Sequence, residues 1–406
     1  LGAGEVVGGV ADVYTKKKEP VRVPFEPEKI NSLLGTDISK EDMLEYLSRV
    51  ELAYDETTNE IVAPTFRHDI FRTADIAEEV ARFYGYDNIP TTLPSGEATT
   101  GKLPFKLRIE EVARDVAEYC GFSQGYCYSF ESPKVFDKLQ IPAGDELRKA
   151  ITISNPLGED FSIMRTISLN GMLTSLATNY NRRNKNVRLY ELGNVYLPKD
   201  LPLTELPDER MMFTLGMYGD GDFFDMKGVV EEFFDQIGMH KKTEYDPKAG
   251  KTFLHPGRQA LISYEGEVMG YLGEVHPAVA DTYGIGTRAY VAVLDILNVV
   301  KHASFDRKYE GIAKLPAVNR DISMVVPKEI MVGQIEHMIA QRGGKILEHF
   351  ELFDIYEGDQ IERGFKSVAY SLTFRSKEKT LEEAEINGAM NKILNGLEGM
   401  GIQLRK

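Results

Sequence analysis

The spacing of apolar and polar positions divides the chain into a succession of helical and strand-like stretches. Pro27-Glu28-Lys29-Ile30-Asn31-Ser32-Leu33-Leu34 reads as a short helix with proline in its first turn and Gly35 at its C-terminal cap. Ser39 opens a second helix, along which Met43, Leu44, Leu47 and Val50 recur at near-helical spacing. Ile61-Val62-Ala63-Pro64 reads as a short strand entering a turn, and Asp75 to Tyr84 as a third helix stopped by Gly85. Farther along, Phe105 to Tyr119 is amphipathic, and Ser168 to Tyr180 is another long helix. Val187 to Leu197, Met211 to Met217, Gln259 to Tyr264, Val268 to Gly273 and Ala289 to Leu294 read as strands, with a helix at Lys227 to Ile237 among them. Strands mixed with long helices and joined by tight glycine turns predict an α+β domain around an antiparallel sheet.

The last part of the chain has the clearest pattern. Asp321 to Val326 is a strand, and Val332 to Gln341 a helix ended by Gly343-Gly344. Ile346 to Tyr356 and Lys366 to Ser376 are strands around a polar turn at Gly358-Asp359. Thr380, with Glu383 three residues on, predicts a capped helix from Leu381 to about Leu394, and Ile402 to Leu404 a final short strand. The order β-α-β-β-α-β is that of a ferredoxin-like, split-βαβ domain. Along its third strand Val368, Tyr370, Leu372 and Phe374 alternate as a buried face.

Charge sharpens this division. The 406 residues carry 48 Lys plus Arg against 63 Asp plus Glu, a net charge of −15. Residues 313–406 hold 13 Lys plus Arg and 14 Asp plus Glu, so the final domain is the part least repelled by a polyanion. An apolar content of 42% supports real cores and excludes a disordered chain. No apolar run approaches the roughly 18 residues of a membrane span, and no membrane association is expected. Cys120 and Cys127 match no zinc or redox spacing; two thiols in a chain of this length suit a reducing, cytoplasmic setting and read as packing residues. No signal peptide is visible, and the chain opens Leu1-Gly2-Ala3 without Met, as expected of a piece of a longer protein.

Several clusters bear on chemistry. Asp75, Glu78, Glu79 and Arg82 fall at i, i+3, i+4 and i+7 on one predicted helix, with Asp69 in the preceding loop. Carboxylates so grouped suit a hard cation such as Mg²⁺; equally, Asp75 reads as an N-cap with Glu78 as its capping-box partner, and Glu79 as the partner of Arg82. Asp220-Gly221-Asp222-Phe223-Phe224-Asp225 opens like a calcium loop, but Phe224 and Asp225 stand where an oxygen ligand and a glycine are required, which excludes it. Gly284-Ile285-Gly286 reads as a turn, not a phosphate cradle, and His255-Pro256-Gly257 and His276-Pro277 as structural turns. Lys16-Lys17-Lys18 reads as a solvated linker. Arg182-Arg183-Asn184-Lys185-Asn186 is a basic loop after a helix, open to phosphate, to an acidic partner surface, or simply to solvent beside the helix dipole. In the final domain Arg320, Lys366, Arg375, Lys377 and Lys379 lie at strand ends near Phe365, Tyr370 and Phe374, a combination that suits single-stranded RNA.

These residues resemble a known family, the β subunit of bacterial phenylalanyl-tRNA synthetase. Arg67-x-Asp69-Ile70, followed by Asp75-Ile76-x-Glu78-Glu79-Val80-Ala81-Arg82-x-Tyr84-Gly85-Tyr86-Asp87, resembles its B5 domain. Asn155-Pro156-Leu157-x-Glu159-Asp160-Phe161, Tyr190-Glu191-Leu192-Gly193 and His255-Pro256-Gly257-Arg258 resemble its core. Pro316-Ala317-Val318-Asn319-Arg320-Asp321-Ile322 and Phe353-Asp354-Ile355-Tyr356 resemble its anticodon-binding domain.

The resemblance implies an α+β multidomain chain. Residues 1–20 would be the remnant of a preceding editing region, 21–92 a winged-helix-like B5 domain, 93–312 a noncatalytic core like that of class II synthetases with an antiparallel sheet, and 313–406 the ferredoxin-fold anticodon-binding domain. It implies a cytoplasmic heterotetramer of two alpha and two beta subunits that uses ATP at the alpha subunit and Mg²⁺ to join phenylalanine to tRNA-Phe, with no catalytic residue in this chain. By the same resemblance Asp69, Asp75, Glu78 and Glu79 hold Mg²⁺, and Arg320, Lys366, Arg375, Lys377 and Lys379 face tRNA. Arg188-x-x-Glu191 faintly echoes an ATP-contacting signature. The competing readings are a self-sufficient ATP-using ligase and a DNA-binding module built on the first helical unit.

Overall fold

The computed structural model describes residues 2–5, 7–239, 242–309, 311–358 and 360–405. Asp359, half of the polar turn expected at Gly358-Asp359, lies outside them. The chain forms two compact units, residues 1–101 and 102–406. Among the described residues no helix is long and apolar enough to cross a membrane.

The first unit contains β1 (Val21–Pro24), α1 (Pro27–Leu34), α2 (Lys40–Ser48), β2 (Ala53–Asp55), β3 (Glu60–Ala63) and α3 (Thr73–Tyr84). Gly35 closes α1 in the left-handed region, and Ser39 caps α2 by accepting the Asp42 N–H at 3.1 Å. The three strands form an antiparallel sheet in the order β1-β3-β2. Val23 and Ile61 from the strands, with Phe25 just past β1, bury Ile30, Met43, Leu47, Ile76 and Val80 from the helices.

The larger part of the second unit comprises α4 (Phe105–Tyr119), β4 (Ser123–Gln124), β5 (Phe130–Glu131), α5 (Val135–Lys138), β6 (Ile163–Met164), α6 (Leu169–Asn181), β7 (Val187–Leu197), β8 (Asp208–Tyr218), α7 (Phe223–Gln236), β9 (Thr243–Asp246), β10 (Leu254–Tyr264), β11 (Glu267–Val275), α8 (Pro277–Tyr283), β12 (Ala289–Asp295) and α9 (Ile296–His302). Its seven-stranded sheet runs β4-β7-β8-β12-β11-β10-β9, antiparallel throughout except for the β4–β7 pair. Strand alternation sends residues to two cores. Phe213, Leu215 and Met217 of β8, with Tyr290, Ala292 and Leu294 of β12, meet α4, α7 and α9 on one face. Tyr218, Ala289, Val291 and Val293 meet α5, α6 and α8 on the other. Helix α6 lies so close that a Cβ at Gly216 would come within 2.6 Å of Met172.

The final domain holds β13 (Val318–Pro327), α10 (Val332–Gly343), β14 (Leu347–Tyr356), β15 (Phe365–Phe374), α11 (Glu383–Glu398) and β16 (Gln403–Leu404) in the order expected of the split-βαβ plan. Its antiparallel sheet runs β14-β15-β13-β16, and both helices pack on one face against Ile322, Met324, Val368, Tyr370, Leu372 and Phe374.

Some local expectations change. Helix α11 starts at Glu383, not after Thr380: Leu381 packs beside the domain core, and Glu382 is extended as the N-cap, its N–H donating to Glu385. His255-Pro256-Gly257 is an irregular stretch inside β10, not a turn, where the register with β11 slips between Leu254 and Gln259. Asp222, from the excluded calcium loop, caps α7 through the N–H groups of Phe224 and Asp225.

Candidate functional site

The acidic helix α3 begins two residues earlier than its pattern implied, which moves Asp75 from the N-cap to the third helical position. There its carboxylate turns back and accepts the N–H groups of Phe71 and Arg72 at 3.1 Å each, and Arg72 Nε at 3.0 Å. Burial works to raise Asp75, yet these donors hold it below the ordinary aspartate value. Arg67 is a fork between loop and helix. It donates to both oxygens of Asp69, at 3.0 and 2.6 Å, and to Glu79 Oε1 at 2.6 Å. Arg82 takes the other oxygen of Glu79, the pair expected from the sequence. Burial pushes Glu79 up, and the two guanidiniums outweigh it and lower it. Glu78 is exposed, whereas Asp75 and Glu79 are buried. Among the described residues no group of three His, Cys, Asp or Glu side chains is placed to hold a metal ion. As placed, arginines offset the charge of this cluster, and the side chains do not form an ion cradle.

In the core, a second polar cluster is sealed from solvent. Arg165 Nη1 donates to Glu191 Oε1 at 3.0 Å with both side chains under 5% exposed, and Arg165 Nε donates to the Asn194 carbonyl at 2.7 Å. Gly193 makes room for this pair, since a Cβ there would sit 2.2 Å from Arg165 Nη2. Glu191 also accepts the Cys127 N–H at 3.2 Å. Arg188 instead donates to the Cys120 carbonyl and pairs with Asp220. The two residues of the Arg188-x-x-Glu191 echo are thus taken up by separate structural partners.

The final domain leaves one sheet face away from its helices. Register places His349, Glu351, Asp354 and Tyr356 of β14 on that face, across from Thr373, Ser371, Ala369 and Ser367 of β15. Asn319, Asp321, Ser323 and Val325 of β13 follow, and then Gln403 of β16. The floor is therefore small: Ser323, Ser367, Ala369, Ser371 and Thr373. Longer exposed side chains stand along its margins, with His349 and Tyr356 on one side and Arg405 on the other. Arg405 reaches over the floor, its Nη1 3.4 Å from Ser367 Oγ and its Nη2 3.2 Å from Gln360 Oε1. A shallow floor bordered by rings, carboxylates and a guanidinium offers stacking planes and both kinds of hydrogen-bonding partner to unpaired bases.

Sequence models of three domain families match the chain: tRNA synthetase B5 domain over residues 23–86, phenylalanyl tRNA synthetase beta chain CLM domain over 89–296, and ferredoxin-fold anticodon binding domain over 313–405. The chain is 44% identical over 409 residues to the phenylalanine–tRNA ligase beta subunit of Clostridium acetobutylicum, covering 100% of this chain and 51% of the relative. The beta subunits of Clostridium tetani, at 42% (100% and 51% covered), and Moorella thermoacetica, at 35% (100% and 52%), are similar along the same extent. The chain belongs to the phenylalanine–tRNA ligase beta subunit family. It spans about half the length of these relatives.

Within this beta-subunit chain, the five cations expected to face tRNA are scattered. Arg320 and Lys366 follow the helix-facing alternation; Arg320 donates to Glu383 at 3.1 Å, and Lys366 approaches the Lys328 carbonyl at 3.5 Å. Lys379 pairs with Glu385 at 2.9 Å, and Lys377 is also engaged. Arg375 continues the open-face alternation past the end of β15, but it pairs with Glu348 at 2.9 Å. Tyr370 and Phe374 lie in the core, so neither is a stacking surface. The face that sequence reasoning missed was signalled by the complement of the buried alternation, the small residues Ser367, Ala369, Ser371 and Thr373.

Proposed function

We propose that this chain supplies the supporting and tRNA-gripping part of a cytoplasmic phenylalanine–tRNA ligase that charges tRNA-Phe with phenylalanine at the expense of ATP. In this reading two copies assemble with two alpha subunits, and the alpha subunits carry the chemistry. The observation that supports it is the helix-free sheet face in the stretch similar to anticodon-binding domains. On it the anticodon loop lays its bases over the small floor, Tyr356 and His349 present rings for stacking, and Arg405 meets phosphate or a base edge. Arg320, Lys366, Arg375, Lys377 and Lys379 then act at the rim, through the field they add beside the face.

The test is co-expression with an alpha subunit, mass measurement of the assembly, and tRNA binding by the Tyr356→Ala and Arg405→Gln variants. Each is expected to weaken binding about tenfold, since base stacking contributes about 1–3 kcal/mol. Unchanged affinity in both variants would refute the assignment of the face. A magnesium ion held by Asp69, Asp75, Glu78 and Glu79 is a separate proposal, which requires the Arg67 fork to open first. Calorimetric titration of Mg²⁺ into the assembly, with Asp75→Asn as control, tests it; identical traces from both would reject the site.

A further inference from the structure

We propose that the loop after α6, with Arg288 beside it, is a second phosphate-binding surface, one that grips the RNA backbone away from the anticodon-binding domain. The inference rests on the tRNA reading above and adds a contact in the core. Arg182, Arg183 and Lys185 are exposed, and none forms an ion pair among the described residues, although the neighbouring Arg188 does so with Asp220. The loop that carries them is anchored. Asn184 N–H donates to the Asn179 carbonyl at 3.2 Å, and Asn184 Nδ2 to Asn179 Oδ1 at 2.7 Å. The Asn184 carbonyl accepts the hydroxyl of buried Tyr218 at 3.0 Å. Downstream, the Lys185 carbonyl would lie 2.6 Å from a Cβ at Gly219, so loop and strand end are closely packed.

Arg183 holds φ at +65° just past the helix end, where glycine is the usual residue and a side chain costs about 1 kcal/mol. The helix dipole rewards positive charge here but does not require an arginine in a left-handed conformation. Register completes the patch. Val187, Tyr218 and Ala289 align across β7, β8 and β12, so Asn186, Gly219 and Arg288 occupy the same end of three adjacent strands. Arg288 reaches only to 4.0 Å from Glu274, which Arg258 already holds at 3.1 Å. Asp220 and Asp222, near the same end, are also engaged, Asp220 by Arg188 and Asp222 by the first N–H groups of α7.

The partner's chemistry follows from what the patch lacks. Protein interfaces centre on apolar and aromatic anchors. The loop and the start of β12 expose Arg182, Arg183, Asn184, Lys185, Asn186, Thr287 and Arg288, none of them apolar and all of them able to donate to phosphate and sugar oxygens; the exposed ring of Phe224 stands apart from them, on the first turn of α7. That favours RNA over an acidic protein.

The test uses the complete assembly with its alpha subunit. The combined variant R182Q, R183Q and K185Q is titrated with tRNA over a salt series, beside Arg405→Gln, and its assembled mass is measured. All three positions are exposed, and circular dichroism checks the fold. The expected result is an affinity lowered at least tenfold, a plot of log affinity against log salt shallower by about two to three, and an unchanged assembled mass. An unaltered slope in the triple variant, while Arg405→Gln weakens binding, would overturn the second surface and leave the anticodon face standing. If neither variant moved tRNA affinity, both readings would fail together. Loss of the alpha subunit from the triple variant would reassign the loop to a protein contact and also overturn the proposal.

Discussion

Glu131 is a carboxyl group placed where its charge is poorly supported, and this makes the stability of the core depend on pH. The residue is 4% exposed, on the short strand β5. Its Oε1 accepts from Asn170 Nδ2 at 2.9 Å, and Asn170 in turn accepts the Tyr283 hydroxyl at 2.8 Å, while Oε2 has no hydrogen-bond partner among the described residues. Burial drives its pKa from an ordinary 4.5 to about 7; the Asn170 bond and Arg165 oppose the rise and the charge of Glu191 adds to it. Because the folded value is the higher one, the stabilising contribution is complete below about pH 4.5 and is lost as pH rises through about 7. The gap between those values, at about 1.4 kcal/mol per pH unit, caps the effect at about 3 kcal/mol, of which about 2 kcal/mol falls between about pH 5.5 and about pH 8.5. Glu131→Gln keeps an acceptor for Asn170 and removes the titration. The chain has no tryptophan, so urea unfolding is best followed by hydrogen exchange in peptides spanning β5 to α6. The variant should gain on the parent by about 2 kcal/mol across that range. A constant difference between the two proteins from the acid to the alkaline end would refute the reasoning.

Three further outcomes follow from the core. Arg165→Met strands the buried Glu191 carboxylate and should cost about 3–5 kcal/mol, whereas adding Glu191→Leu should restore part of the loss; denaturation midpoints of the single and double variants decide this. Gly270→Ala would set a Cβ 2.0 Å from the Val293 carbonyl oxygen across the β11–β12 pair, so a loss of about 3 kcal/mol and a lower Tm are expected, and an unchanged Tm would contradict the packing. Burial pushes the Cys127 thiol up to about 11, so it should resist iodoacetamide at neutral pH and react only as the core opens, which mass spectrometry of timed samples reads directly.

Periodicity made most of the architecture legible. The α4 stripe, the long β7 strand and the whole β-α-β-β-α-β order of the final domain appear in the sequence because each buries one continuous face. The short strands β1, β2 and β9 carry three or four residues each, too few for an alternation to show. The candidate sites were harder to read for a different reason. Spacing put Asp75, Glu78 and Glu79 on a common helix face, but it could not show that Arg67, eight residues before Asp75, would reach Asp69 and Glu79 at once. Nor could it show that Arg320 would find Glu383 across the domain. Which cations are spoken for is a tertiary property, and the floor of the open face became visible only once strand register was known.

The close fit of Gly193 against Arg165 bears on how such a sequence can drift. Any larger residue at 193 displaces the guanidinium, and a displaced guanidinium leaves Glu191 charged in a dry interior. The three positions are therefore epistatically locked, each single step away being penalised by the other two. A lineage leaves this arrangement only by exchanging the ion pair for apolar side chains first, after which position 193 becomes free to vary.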